Sequence, residues 1–161
     1  MKNIFKILAA AAVLLLIPAN INFPRAFFKG KKNKLRACDA GGCGYFGAPR
    51  KDHIHKGIDI VCTPGTTVIS PVDGVITRSF LPYANDDNYN GVEIATDNKK
   101  IKIMYMLPYF EKIGTTVKAG DPIGVAQDIS KKYTSAVTPH LHVELWSDGQ
   151  PINGANYFNL V

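Results

Sequence analysis

Acidic residues are missing from the first 36 positions of this 161-residue chain, a stretch that holds eight of its 19 lysines and arginines. The formal charge of +6 is therefore a property of the N-terminus. Beyond it, 11 basic residues stand against 13 acidic ones, a net of −2, so charge gives no reason to expect a nucleic-acid partner. Internal repeats and long low-complexity tracts are absent, and no amphipathic pattern of ten or more residues announces a helix. Long apolar runs are also lacking. The longest, Ile7–Ile17, is eleven residues and falls short of a bilayer, so no stable membrane span is expected. Cysteine is scarce, with three in all.

What is present suits one exported domain. Hydrophobic residues make up 46 %, enough for one packed core. Lys2 and Lys6 precede the apolar run and Pro18 ends it, so residues 1–19 read as a secretory signal, with cleavage after Ala19 or Ala26. Residues 20–36 read as a basic, solvated leader, and 37–161 as the domain. Cys38 and Cys43 flank a four-residue loop with two glycines, which permits the tight closure of a local disulfide. Cys62 is left over, as a buried free thiol or an unpaired remnant.

Past Ala48 the pattern is short β-rich runs cut by turns, an all-β signature. Strands are expected over Thr66–Ser70, Val75–Phe80, Gly91–Thr96, Lys100–Leu107, Asp121–Gln127 and His140–Trp146. In Lys100–Leu107, alternation puts Ile101, Ile103, Tyr105 and Leu107 on one face, with Met104 and Met106 on the other. Two connections are polar and long: Tyr83–Asn90, expected to be exposed and mobile, and Asp128–Pro139.

The four histidines fall in two pairs, His53/His55 and His140/His142. On an extended strand His140, His142, Glu144 and Trp146 share one face, and Leu141, Val143 and Leu145 the other. Paired imidazoles suit a metal ligand beside an acid–base group. His55, Asp59 and His142 make a two-histidine, one-carboxylate set of the kind zinc takes, leaving a fourth position to water. Gly57 would let the chain curl so that the first two ligands converge.

At His55-Lys56-Gly57-Ile58-Asp59-Ile60, Pro64-Gly65-Thr66, Pro71-Val72-Asp73-Gly74-Val75, Val117-Lys118-Ala119-Gly120-Asp121 and Thr138-Pro139-His140-Leu141-His142, the chain resembles the lysostaphin-type (LytM-type) zinc endopeptidases. Cys38-Asp39-Ala40-Gly41-Gly42-Cys43-Gly44, Arg50 and Val61-Cys62 are similar to the branch typified by leukocyte cell-derived chemotaxin 2, generally regarded as non-catalytic. The resemblance implies an all-β fold: an antiparallel β-sheet core with a duplicated hybrid motif and a groove over zinc. It implies Zn2+ on His55, Asp59 and His142, with His140 as base or transition-state group. It implies as partner a peptide, cell-wall peptidoglycan or a cell-surface receptor. A second catalytic histidine of the family falls on Met106, whose thioether cannot do that work. Two groups remain as substitutes: Tyr105, which alternation turns away from the metal, and His53. The branch's upstream partner for Cys62 would lie near Phe27, where there is no cysteine.

Overall fold

The computed structural model describes residues 25–161; the signal segment 1–19 lies outside them. Ten strands form two antiparallel sheets: β1 (Ile58–Val61), β2 (Thr67–Ile69), β3 (Gly74–Phe80), β4 (Gly91–Ala95), β5 (Lys100–Met104), β6 (Met106–Pro108), β7 (Thr116–Val117), β8 (Pro122–Ala126), β9 (His140–Ser147) and β10 (Gln150–Ile152). The larger sheet runs β1-β9-β5-β4-β3-β7, with β10 also on β9; the smaller runs β2-β8-β6. Two single-turn 3-10 helices are the only helical elements among the described residues. The all-β expectation therefore holds, and the strands missed by the sequence reading are β1, β7 and β10.

Strand alternation builds the core. Ile58, Ile60, Val92, Ile94, Ile101, Ile103, Leu141 and Val143 are buried on the inner face of the large sheet and pack in one cluster with Val68, Ile123 and Met106 of the small one. The expected face of β9 is observed: Leu141, Val143 and Leu145 are buried in the core. Cys38 and Cys43 are joined in a disulfide. Cys62 is a free, half-buried thiol; burial pushes its pKa up to about 12, so it carries little thiolate.

Three expectations are corrected. First, residues 25–36 are no solvated leader. Phe27 and Phe28 are buried in the core, and the Phe27 ring lies 5.1 Å from that of Phe158. Buried Asn33 ties this segment down: its amide donates to the carbonyls of Arg25 and Phe158 and accepts from Phe27 N–H. Charge misled here because the lysines are exposed while the two phenylalanines before them and Asn33 among them are buried. Second, the loop Tyr83–Asn90 is exposed at Ala84, Asn85, Asp87 and Asn88, as expected, but hydrogen bonds tie down its C-terminal end. Tyr89 is buried and donates to the carbonyl of Asp128, and the Gln127 side chain bonds Asn90 N–H and the Asn88 carbonyl. Third, Lys100–Leu107 is not one strand. It breaks at Tyr105, whose φ of 66° is left-handed, and the chain passes from the large sheet to the small one. The break reverses the alternation, so Met106 enters the core and Leu107 is exposed.

Phe27→Ala should therefore behave as a core truncation and lower stability by ~3–5 kcal/mol. Urea unfolding checks this; a midpoint equal to wild type would return the segment to the status of a leader.

Candidate metal centre

Three elements bring the predicted ligands together. Asp59 on β1 pairs directly with His142 on β9, and His142 pairs with Met104 on β5, so one row crosses three strands. His55 precedes β1 in a loop closed by paired backbone bonds between Gly47 and His55 and between His55 and Ala48. Gly57 has a different role from the one expected. A Cβ there would collide with the Val143 carbonyl and come within 2.9 Å of the His142 ring. Glycine is needed for close approach to the ligand rather than for a curl.

The second nitrogen of each histidine is committed, which fixes the first. His55 Nδ1 lies 2.7 Å from the Tyr45 carbonyl, which can only accept, so Nδ1 donates and Nε2 is left with its lone pair. His140 Nδ1 donates likewise to the Thr138 carbonyl at 2.7 Å. His142 Nε2 faces Glu144 Oε1 at 3.4 Å, leaving Nδ1 inward. Glu144 is held in turn by Trp146 Nε1 at 2.7 Å and by Lys102 at 3.7 Å. Metal-ligating histidines in general are oriented by such partners.

The inward atoms form a nearly equilateral triangle: His55 Nε2 to His142 Nδ1 is 2.9 Å, and Asp59 Oδ1 lies 3.1 and 3.0 Å from them. Lone pairs of neutral imidazoles and a carboxylate converge there, an arrangement that calls for a cation. Zinc bonds to N and O of about 2.0–2.1 Å imply tetrahedral edges of about 3.3 Å, a few tenths wider than found. The donor set and its spacing thus fit the metal. Without one, a proton takes its place. Burial opposes charge on His142, but the hydrogen bonds to Asp59 and Glu144 outweigh it and hold its pKa up at about 9. Burial likewise opposes charge on Asp59, yet its bonds to His142 and His55 hold the carboxyl well below the ordinary range.

Sequence reading missed the other side of Asp59. Buried Arg36 donates to Oδ2 through Nε at 3.2 Å and Nη2 at 2.8 Å, and Arg50 stands 3.6 Å away. Arg36 also bonds Asp39 and the Gly42 carbonyl, while Arg50 bonds the Cys43 carbonyl, so the disulfide loop braces both guanidiniums. Arg36 was hidden among the residues taken for a leader. Glu144 did carry a signal: it sits two residues from His142 on the same strand face.

The triad lies on the floor of a groove of about 960 Å³. His140 is buried beside it, with Nε2 3.7 Å from Asp59 Oδ1; burial lowers its pKa. Met106 is sealed in the core instead of lining the groove. Tyr105 lines it, contrary to the alternation argument, with its ring 5.5 Å from His140 and 6.3 Å from His142. Its left-handed backbone costs on the order of 1–3 kcal/mol in a non-glycine residue. Bonds from Tyr105 N–H to the Asn90 carbonyl and from Gln127 N–H to the Tyr105 carbonyl hold it there. His53 reaches only the rim: its side chain is 58 % exposed and paired with Asp52.

Comparison with known proteins agrees with this geometry. Bovine (Bos taurus) leukocyte cell-derived chemotaxin-2 is 34 % identical over 113 residues, covering 70 % of this chain and 73 % of the relative. The mouse (Mus musculus) protein of that name is 32 % identical over 74 % of this chain and 78 % of its own. In fold, the chain is similar to the catalytic domain of the antimicrobial peptidase lysostaphin from Staphylococcus simulans, with a TM-score of 0.56, 23 % identity, and coverage of 73 % and 90 %. The profile described as Peptidase family M23 matches residues 53–154, a span that contains the three candidate ligand residues and His140, and on that match the chain belongs to peptidase family M23.

Proposed function

We propose that this protein is a secreted, zinc-binding recognition protein of chemotaxin-2 type, whose groove takes an extended peptide and hydrolyses it slowly or not at all. The observation that carries the reading is the pairing of an intact His55/Asp59/His142 triangle with a second catalytic position, Met106, closed inside the core. Zinc bound there would supply a Lewis acid that polarises a carbonyl and lowers the pKa of its water. His55, Asp59 and His142 would hold it, Arg36 and Glu144 would keep those ligands aimed, and His140 Nε2, neutral in its buried setting, would accept a proton within the groove. Peptide as ligand is supported by membership of a peptidase family. The source of that peptide would be a cell-surface receptor or peptidoglycan.

Export is supported by the N-terminal signal pattern and by the Cys38–Cys43 disulfide, which suits an oxidising compartment. Among the described residues no helix is long and apolar enough to cross a membrane. A second reading, an active endopeptidase on peptidoglycan cross-links, is favoured by His140, whose Nε2 faces the triad 3.7 Å from Asp59 Oδ1.

The protein should purify with about one zinc per chain, and His142→Ala should lose most of it. Equal zinc in both would remove the ligand assignment. Below about pH 9 zinc must displace the proton held by His142, so apparent zinc affinity should rise about tenfold per pH unit from mildly acidic pH upward. Titration with a competing chelator reads this slope, and an affinity independent of pH contradicts it. Zinc-loaded protein incubated with pentaglycine or purified cell wall, with His140→Ala as control, decides between the two readings. Release at least about a hundredfold below that of an active family member supports recognition, a hundredfold being about what one oxyanion donor is worth. Fast, His140-dependent release supports the endopeptidase.

A further inference from the structure

Three tyrosine hydroxyls meet in one wall of the groove. Tyr83 donates to the Tyr105 oxygen at 3.0 Å, and Tyr83 and Tyr133 hydroxyls are 2.8 Å apart. The residues come from separate places: Tyr83 from the β3–β4 loop, Tyr133 from the β8–β9 connection, and Tyr105 from the break between β5 and β6. Proton counting sets the direction of the chain. Tyr83 spends its single proton on Tyr105, so its own oxygen accepts from Tyr133. Tyr105 thus receives a hydrogen bond, and its own proton is committed to none of these partners. A hydroxyl that accepts one bond is a better donor of the next.

The setting keeps that donor in place. The Tyr83 and Tyr105 rings are stacked within 12° of parallel, and Tyr89 meets both edge-on. Lys132, itself paired with Asp86, lies 4.1 Å from the centre of the Tyr83 ring. Burial raises the phenol pKa of Tyr105, so it stays protonated. The left-handed φ at Tyr105 would suit glycine or asparagine better. That backbone conformation turns the side chain out of the alternation and into the groove, where its ring stands against His140 and His142.

We propose that Tyr105 is the hydrogen-bond donor to the carbonyl oxygen of a peptide held over the metal triad, oriented by the Tyr133–Tyr83–Tyr105 relay. This rests on the reading of the groove as a peptide site. It places a phenol where the strand break brings it, while the residue next along the chain, Met106, goes to the core.

The test uses the zinc-loaded full chain and two probes: pentaglycine, and a glycine peptide in which one amide is replaced by a phosphinate, whose tetrahedral oxygens mimic the charged oxygen that such a donor serves. Wild type should bind the phosphinate more tightly than pentaglycine. Tyr105→Phe, which keeps the ring and removes the hydroxyl, should cut that preference by about ten- to a hundredfold while zinc content and urea midpoint stay unchanged. Tyr83→Phe should cut it by a smaller factor, because Tyr105 then loses the bond that orients it. An unchanged preference in Tyr105→Phe overturns the assignment, and so does an equal loss for both probes, which would mark the ring as a wall only. If zinc-loaded wild type binds neither probe, the peptide reading of the groove falls and takes this assignment with it. If pentaglycine binds but the phosphinate gains nothing, the peptide site stands and Tyr105 alone is ruled out.

Discussion

Asp59 is pulled from two sides, and the site depends on the balance. One carboxylate oxygen faces the inward nitrogens of His55 and His142; the other is gripped by the Arg36 fork, with Arg50 behind it. A buried carboxylate is costly to ionise unless both oxygens are satisfied, and here each has a charged or polar partner. Fixing the carboxylate plane also fixes which oxygen is offered to a cation. Removing Arg36 would leave a buried, half-satisfied charge rather than simply a missing contact.

From that carboxylate the constraint spreads outward. Arg36 and Arg50 lean on the Cys38–Cys43 loop through backbone carbonyls, and Asp39 of that loop accepts from Thr138 N–H. Thr138 in turn offers its carbonyl to His140. The disulfide loop, the histidine that flanks the triad and the carboxylate at its centre are therefore one hydrogen-bonded unit. Its outer edge is the segment from Arg25 to Arg36, which Asn33 and Phe27 fasten to the C-terminal residues around Phe158.

The clustering of the candidate ligands was legible in the sequence because strand periodicity is strict where it is undisturbed: two residues apart on β9 means the same face, and His142 and Glu144 obey it. Strand positions were legible for the same reason, through turn residues at their ends. Periodicity failed at Tyr105, where one left-handed residue inverts the parity of all that follows and nothing in the local composition signals it. Gly would have been a warning there; Tyr was not. Arg36 and Phe27 failed for a different reason. Charge density describes the average of a segment, whereas burial is decided residue by residue by long-range partners such as Asp59 and Phe158. The tyrosine wall was invisible too, since its members are separated by more than 20 residues each.

The placement of β9 at the centre of the ligand row has a consequence for biogenesis. Its partners β1 and β5 precede it in the chain, with Asp59 and His142 separated by 83 positions. As the polypeptide emerges N-terminus first, His55 and Asp59 are exposed long before their third companion, and a two-ligand fragment grips metal weakly. Such non-local closure is slow compared with hairpin formation. Full-affinity binding of an ion at this candidate site would therefore come late in folding, once β9 has inserted between β1 and β5. In a chain that folds after translocation, the metal would be acquired from the outer compartment rather than carried across from within.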